Sequence, residues 1–277
     1  MGLKCRPSIF ISARVGMDGK RMSGEIPNLS IWRWAVPSSA LTLMLLLWVM
    51  DANTHVFVWL NLASTTLGDT FWSYVTVLGD TVSLLLILLF CGRRPQVVWQ
   101  FFIAALFAIL WTQGLKEPLG VLRPPVVLGS EQFHLIGAVL QHNSFPSGHT
   151  TTIFLLAGIL CLQRLQAPIK IALLSLALLV GISRIACGVH WPLDVLGGAL
   201  GGWGAAVAGN WLGMRWQVGL GRILQRIFAL LLLTVACWVI FHRPDEFTRT
   251  HSFQVTLALL ATAISLPALM RLFNWRS

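Results

Sequence analysis

Ser183-Arg184-Ile185-Ala186-Cys187-Gly188-Val189-His190-Trp191-Pro192-Leu193-Asp194 stands between two long apolar runs and puts a serine, an arginine, a histidine and an aspartate within twelve residues. Pro192 suits the first turn of the helix that follows, where its missing N–H costs nothing. A helix beginning near His190 sets His190 and Asp194, four residues apart, on one face. A carboxylate there accepts the Nδ1 proton of His190 and leaves Nε2 with a free lone pair, which makes a neutral imidazole an oriented nucleophile. Charged chemistry joined directly to apolar runs on both sides means a membrane bundle with a polar site at one surface.

The rest of the chain agrees. Its 277 residues are 56% hydrophobic and 11% charged, with mean hydropathy +0.75. Soluble domains carry about 25% charged residues. A net charge of +10 would mark a nucleic-acid partner in a soluble chain, but here the charge is distributed by the membrane and no nucleic acid is implied. Apolar runs recur at 34–50, 71–91, 97–115, 147–163, 169–187, 192–214, 223–241 and 253–270. A span needs ~20 apolar residues, so the expected fold is all-α, a polytopic helical bundle with eight crossings. The division is a basic tail at 1–33, a core at 34–214 and a C-terminal transmembrane hairpin at 215–277. No cleavable signal peptide is evident. The five cysteines are scattered singly, without metal-ligand spacing.

Lys and Arg orient the bundle. With the N-terminus inside, fifteen of the 20 fall on the cytoplasmic side: six in the tail, then Arg93, Arg94, Arg164, Lys170, Arg215, Arg222, Arg226, Arg271 and Arg276. Both termini are then cytoplasmic. Three of the remaining five are Lys116, Arg123 and Arg184, all on the outer side. The segment 51–70 has no Lys or Arg and is expected along the outer interface. Asp80 falls inside the second run, where a carboxylate is costly. Either the span starts after Gly79-Asp80, or Asp80 is paired inside, with a supporting role toward the basic pocket as a further reading. Residues 125–145 form the longest outer loop, whose His134 and His142 read as solvated. Gly197, Gly198, Gly201, Gly202 and Gly204 make the sixth run a close-packing face.

Two other stretches land on the outer side. Pro146-Ser147-Gly148-His149 is a turn whose N–H groups and serine hydroxyl can hold an anion, followed by a second imidazole. Lys116 and Arg123-Pro124 follow the third run. Taken singly, Lys116 and Arg123 would be interfacial anchors and His190 a loop histidine. Taken together, three fixed cations converge on a guest with about two negative charges, and a phosphoryl group is that guest.

Lys116-x6-Arg123-Pro124, then Pro146-Ser147-Gly148-His149, then Ser183-Arg184-x5-His190-x3-Asp194 resembles the three-part signature of the type 2 phosphatidic acid phosphatase superfamily, at all eleven positions. The resemblance implies that His190 is a nucleophile forming phosphohistidine, with Asp194 fixing its tautomer. It makes His149 the acid and base, and gives Lys116, Arg123, Ser147, Gly148 and Arg184 the phosphate oxygens. Pro124, Pro146 and Ser183 are supporting residues. No cofactor and no metal are expected, the cations doing what Mg²⁺ does elsewhere. The implied enzyme is a hydrolase of a phosphorylated membrane lipid, working at the periplasmic face of a bacterial inner membrane. Undecaprenyl diphosphate, phosphatidylglycerol phosphate, phosphatidic acid and lipid A phosphate all fit as substrates. A lipid-to-lipid phosphotransferase using the same pocket is the alternative, and a non-catalytic lipid-binding or transport protein is the reading from another class. The sequence leaves the oligomeric state open.

Overall fold

Proline and glycine punctuate the chain into helices, and the apolar runs between them are long enough to cross a bilayer. The computed structural model describes residues 29–242 and 250–274. Among these residues every regular element is helical. The first helix, α1 (Leu29–Val49), starts at Leu29 rather than Trp34, so Arg33 belongs to it. The preceding tail, with most of its predicted cytoplasmic cations, lies outside the described residues, as do Arg243, Arg249 and Arg276.

The segment expected along the interface is helical, α2 (Asn53–Ser64). The second predicted span is broken into α3 (Asp69–Val77) and α4 (Thr81–Phe90), with the chain on either side of the break meeting at 61°. The cause is local. Asp80 is extended and caps α4, its carboxylate accepting the Val82 N–H at 3.2 Å. Gly79 packs so closely that a Cβ would meet Val180 at 2.6 Å and the Cβ of His149 at 3.1 Å. Both readings of Asp80 therefore have a share: the apolar helix begins after it, and the carboxylate is also paired, with Gln254 Nε2 at 3.4 Å.

The remaining helices are α5 (Pro95–Leu119), the short α6 (Pro124–Val127), α7 (Gly148–Cys161), α8 (Ala167–Ala186), α9 (Pro192–Arg215), α10 (Arg222–Phe241) and α11 (His251–Phe273). Among the described residues five helices are long and apolar enough to cross a membrane, six if the broken pair counts as one span. The two predicted runs missing from that set are α7, which has 14 residues, and α9. α9 is the central helix, packed by α7, α5 and α1. Packed by protein along most of its surface, it has less need of the lipid-facing leucines that coat its neighbours, and most of its glycines serve contact instead; Gly204 faces open space. A Cβ on Gly198 would sit 2.7 Å from the Ser147 carbonyl oxygen, and one on Gly202 would sit 2.2 Å from that of Thr151. Such contacts let the start of α7 lie directly on α9. The hairpin α10–α11 packs outside this core against α4, where Gln254 donates to Ser83 Oγ at 3.1 Å.

Candidate active site

α8 ends at Ala186, and the chain turns through Gly188, whose φ of +76° suits glycine. Any Cβ there would also strike the His134 carbonyl oxygen at 2.6 Å. His190 follows in the turn, and α9 starts only at Pro192. This corrects the one-helix-face expectation for His190 and Asp194. The two still meet, because Asp194 sits in the first turn of α9 and folds back over the turn before it. Its Oδ2 accepts the Trp191 N–H at 2.8 Å and the Ser144 hydroxyl, and lies 3.3 Å from His190 Nδ1. Backbone, serine and imidazole share one carboxylate oxygen.

Arg123 fixes the other side of the ring. Its Nη1 donates to the Val189 carbonyl at 3.0 Å and lies 3.3 Å from His190 Nε2. A guanidinium only donates, so Nε2 is the acceptor and the ring proton belongs on Nδ1, facing Asp194. Arg123 Nε also holds the His142 carbonyl at 2.9 Å, and its own N–H bonds to Gln141 O at 3.1 Å. One arginine thus ties the outer loop to the histidine. Burial, then the charges of Arg123, Arg184 and Lys116, hold His190 well below the ordinary histidine value of 6.5. It is 3% exposed and stays neutral.

The opposite wall comes from α7 and α8. Ser147 caps α7 in extended conformation, without a side-chain bond to the helix N–H groups, and its own N–H donates to the Asp194 carbonyl at 3.0 Å. The first helical amide to find an intrahelical acceptor is that of Thr151, on Ser147 O at 2.9 Å, so the N–H groups of Gly148 and His149 are the orphan donors of a helix start. The peptide bond Phe145–Pro146 is cis. Arg184 is 7% exposed and donates through Nη1 to Thr76 Oγ1 at 2.5 Å. Two buried side-chain atoms here have no hydrogen-bond partner, Arg184 Nε and His149 Nε2. Buried polar groups are nearly always satisfied, so this pair marks a place built for a guest. Lys116, in the last turn of α5, completes the cationic set and acts electrostatically on His190 together with Arg123 and Arg184.

Not every residue of the signature reaches this pocket. Ser183 is fully buried, and its hydroxyl donates to Val180 O at 2.6 Å within its own helix. Pro124 only starts α6 after Arg123. Three residues outside the motifs are built in. Ser144 joins Asp194 and lies 3.5 Å from His190 Nδ1. Thr76 holds Arg184. Asn61, fully buried on α2, accepts the His134 N–H at 2.6 Å and donates to the carbonyls of His134, Ile185 and Ala186 at 2.8, 3.0 and 3.1 Å. His134, read as a solvated loop residue, is partly exposed and pairs with Asp69 at 2.8 Å.

Residues 96–218 match the PAP2 superfamily. YbjG of Escherichia coli, provisionally named an undecaprenyl-diphosphatase, is 40% identical over 86 residues, 31% of this chain and 41% of YbjG. Lipid A 1-phosphatase of Rhizobium etli is 34% identical over 107 residues, 37% of this chain and 44% of that protein. The chain thus spans about two fifths of the length of these curated relatives. Among solved structures, LpxE of Aquifex aeolicus superimposes with a TM-score of 0.54 at 30% identity, over 59% of this chain and 95% of LpxE. A relative matched over almost its whole length, with the helices carrying the three motifs inside the match to the family, leaves one conclusion: the chain belongs to the PAP2 superfamily.

Proposed function

We propose that this protein is a membrane-embedded lipid phosphate phosphatase that removes a terminal phosphate through a phosphohistidine at His190, on the periplasmic face of a bacterial inner membrane. The observation that carries the reading is the setting of His190: a buried ring with Nδ1 turned to Asp194 and Nε2 turned to Arg123, each at 3.3 Å. An incoming phosphoryl group competes for that guanidinium. As Arg123 turns to the phosphate oxygens, the Nε2 lone pair is released and attacks phosphorus in line. The bond to the leaving oxygen breaks, and His149 supplies its proton. Asp194 stabilises the imidazolium that develops. Water then attacks phosphorus while His149 takes its proton, the P–N bond breaks, and inorganic phosphate leaves. Lys116, Arg123, Arg184, Ser147 and the Gly148 N–H hold the equatorial oxygens throughout. These fixed charges make a metal ion unnecessary, and EDTA is expected to leave the rate unchanged.

A lipid chain has a matching path. An apolar groove of about 680 Å³ runs between α5 and α9, lined by residues including Phe107, Leu110, Trp111, Leu115 and Gly204. Leu115 directly precedes Lys116 in the chain. A substrate tail lying there would bring its phosphate to the cations. Phosphate release should be measured across undecaprenyl diphosphate, phosphatidylglycerol phosphate, phosphatidic acid and lipid A, with vanadate as inhibitor and His190→Ala as control. Release by one or more lipids, inhibited by vanadate and lost in the variant, is expected. Equal release by His190→Ala would sink the assignment. Transfer of labelled phosphate to a second lipid without free phosphate would replace hydrolysis with phosphotransfer.

A further inference from the structure

The C-terminal hairpin lies outside residues 96–218, which match the family, and no step of the reaction above uses it. It nevertheless grips the part of the fold that stands behind the pocket. Two adjacent residues near the start of α11 reach the two arms of the elbow between α3 and α4. Phe253 meets Tyr74 of α3 edge to face, with ring centroids 5.9 Å apart. Gln254 is buried and donates through Nε2 to Ser83 Oγ of α4 at 3.1 Å and to Asp80 Oδ2 at 3.4 Å. The same carboxylate oxygen accepts the Val82 N–H at 3.2 Å and so caps α4. One amide therefore bonds to the cap and to the first turn of α4 while its neighbour packs on α3. A change in the angle between the arms has to break one of these contacts.

The elbow in turn makes two contacts with the site. On α3, Thr76 Oγ1 accepts from Arg184 Nη1. At the break, Gly79 lies against α7 and α8: a Cβ there would stand 3.1 Å from the Cβ of His149 and 2.6 Å from Val180 Cγ1. The backbone of the elbow is thus the wall behind His149, and close packing carries any movement of that wall to the imidazole. Asp80 and Arg184 also act on each other electrostatically. His149 and Arg184 are the pocket residues with a buried nitrogen that has no hydrogen-bond partner, so their aim depends on what supports them from behind.

A buried glutamine between membrane helices needs partners wherever it stands. Gln225, on α10, finds them in the carbonyls of Gly219 and Pro95, and Pro95 is at the opposite end of α5 from Lys116. Gln254 finds them at the elbow. We propose that Gln254 is a positioning residue for phosphoryl transfer: from the hairpin it fixes the elbow between α3 and α4, which sets Arg184 through Thr76 and His149 through Gly79. This role rests on the phosphatase reading above and gives the hairpin a part in it.

Full-length protein is assayed with a lipid phosphate that wild type hydrolyses, reading kcat, KM, inhibition by vanadate and melting temperature. Gln254→Met keeps the size of the side chain and removes its hydrogen bonds, and Gln225→Met makes the same change at the other end of the hairpin. Gln254→Met should lower kcat about tenfold and weaken vanadate, a mimic of five-coordinate phosphorus, by a similar factor, with KM within about twofold of wild type. Gln225→Met should cost as much melting temperature and leave kcat and vanadate inhibition unchanged. An equal fall in kcat in the two variants reduces Gln254 to hairpin stability and overturns the proposal, as does a defect of Gln254→Met confined to KM. If Gln254→Met does not fold, Gln254→Asn replaces it: the shorter amide falls short of Asp80, kcat should drop about threefold at unchanged KM, and a wild-type kcat overturns the proposal. Asp80→Ala and the double variant Asp80→Ala, Gln254→Met complete a cycle, in which Gln254→Met should cost about threefold rather than tenfold once Asp80 is gone. An undiminished cost overturns the route through Asp80. His190→Ala in the same series separates the two levels. If His190→Ala is inactive and Gln254→Met matches wild type, the positioning role alone falls. If His190→Ala releases phosphate like wild type, the phosphatase reading falls and the positioning role with it.

Discussion

The two ends of this bundle hold their cations in opposite ways. At the candidate site Arg123 and Arg184 are each 7% exposed, and their guanidinia are committed to Val189 O, His142 O and Thr76 Oγ1. At the far end Arg93, Arg222 and Arg271 are exposed around an open cavity. Burying a cation is expensive unless its donors are satisfied, so the first set is anchored by long-range bonds to the backbone and to Thr76, and only the Arg123 contact with His190 Nε2 has to give way to a guest. The second set stays at the surface and keeps most of its solvation. The difference separates buried, anchored charge at the site from solvated charge at the surface. It also ranks what each substitution does.

His190→Ala removes the proposed nucleophile and gives the largest effect, a loss of at least about a thousandfold in kcat with the protein still folded. The rate of phosphate release and the melting temperature check it. Next come the buried cations. Arg184→Lys and Arg123→Lys keep the charge but lose the fork, and each should lower kcat about a hundredfold; recovery to near wild-type rate would place these arginines with the exposed set. Arg93→Gln, at the far end, should leave kcat unchanged. His190 also carries a pH dependence. Its folded value lies well below 6.5, so below that pH the unfolded chain takes up more protons than the folded one. This contribution to stability is complete above pH 6.5 and is lost as pH falls through the folded value. Wild type should lose melting temperature on acidification more steeply than His190→Gln, and the acid limb of kcat/KM should lie well below pH 6.5.

A smaller effect tests how the rigid end is held. Asn61 carries no charge and lies outside the three motifs, yet it bonds to His134 and to the last carbonyls of α8, just after Arg184. Asn61→Ala leaves buried backbone groups unpaired, at a cost of about 1–3 kcal/mol. It should lower kcat about tenfold with little change in KM. An unchanged rate in a destabilised protein would limit Asn61 to a structural role.

What could be read in the sequence, and what could not, follows the range of each interaction. Apolar runs and the glycines of α9 are local patterns, and they became helices and, at Gly197, Gly198, Gly201 and Gly202 but not at Gly204, close contacts. His190 and Asp194 lie four residues apart, and their meeting was legible even though the helix starts two residues later than expected. The break at Asp80 was half legible, since a carboxylate in an apolar run announces a problem but not a 61° bend. Thr76 on Arg184 and Asn61 on Ile185 join residues 108 and 124 positions apart. Neither threonine nor asparagine carries a spacing that betrays such a partner. Ser183 shows the reverse: it matched a motif, but at its position on α8 its hydroxyl bonds back within the helix. A motif names a residue type, and only packing decides which way the side chain faces.

The smallest effect concerns the path between bilayer and site, and it separates binding from folding. Gly204 lines the groove between α5 and α9, and a Cβ added there meets nothing within 4 Å. Its neighbour in the pattern, Gly202, has a carbonyl oxygen 2.2 Å from the same construction. Gly204→Leu should therefore fold at least as well as wild type, because leucine is a better helix residue than glycine by nearly 1 kcal/mol. Its side chain would occupy space that one or two methylenes of a lipid tail would fill, each worth about 0.8 kcal/mol. KM for a long-chain lipid phosphate should rise roughly tenfold, while kcat/KM for a short-chain soluble phosphate stays the same. Gly202→Leu should instead lose melting temperature and activity toward both substrates, because it drives α7, with Ser147 and His149, away from α9. If Gly204→Leu affected long and short substrates equally, the groove would be a packing defect and the lipid tail would lie elsewhere.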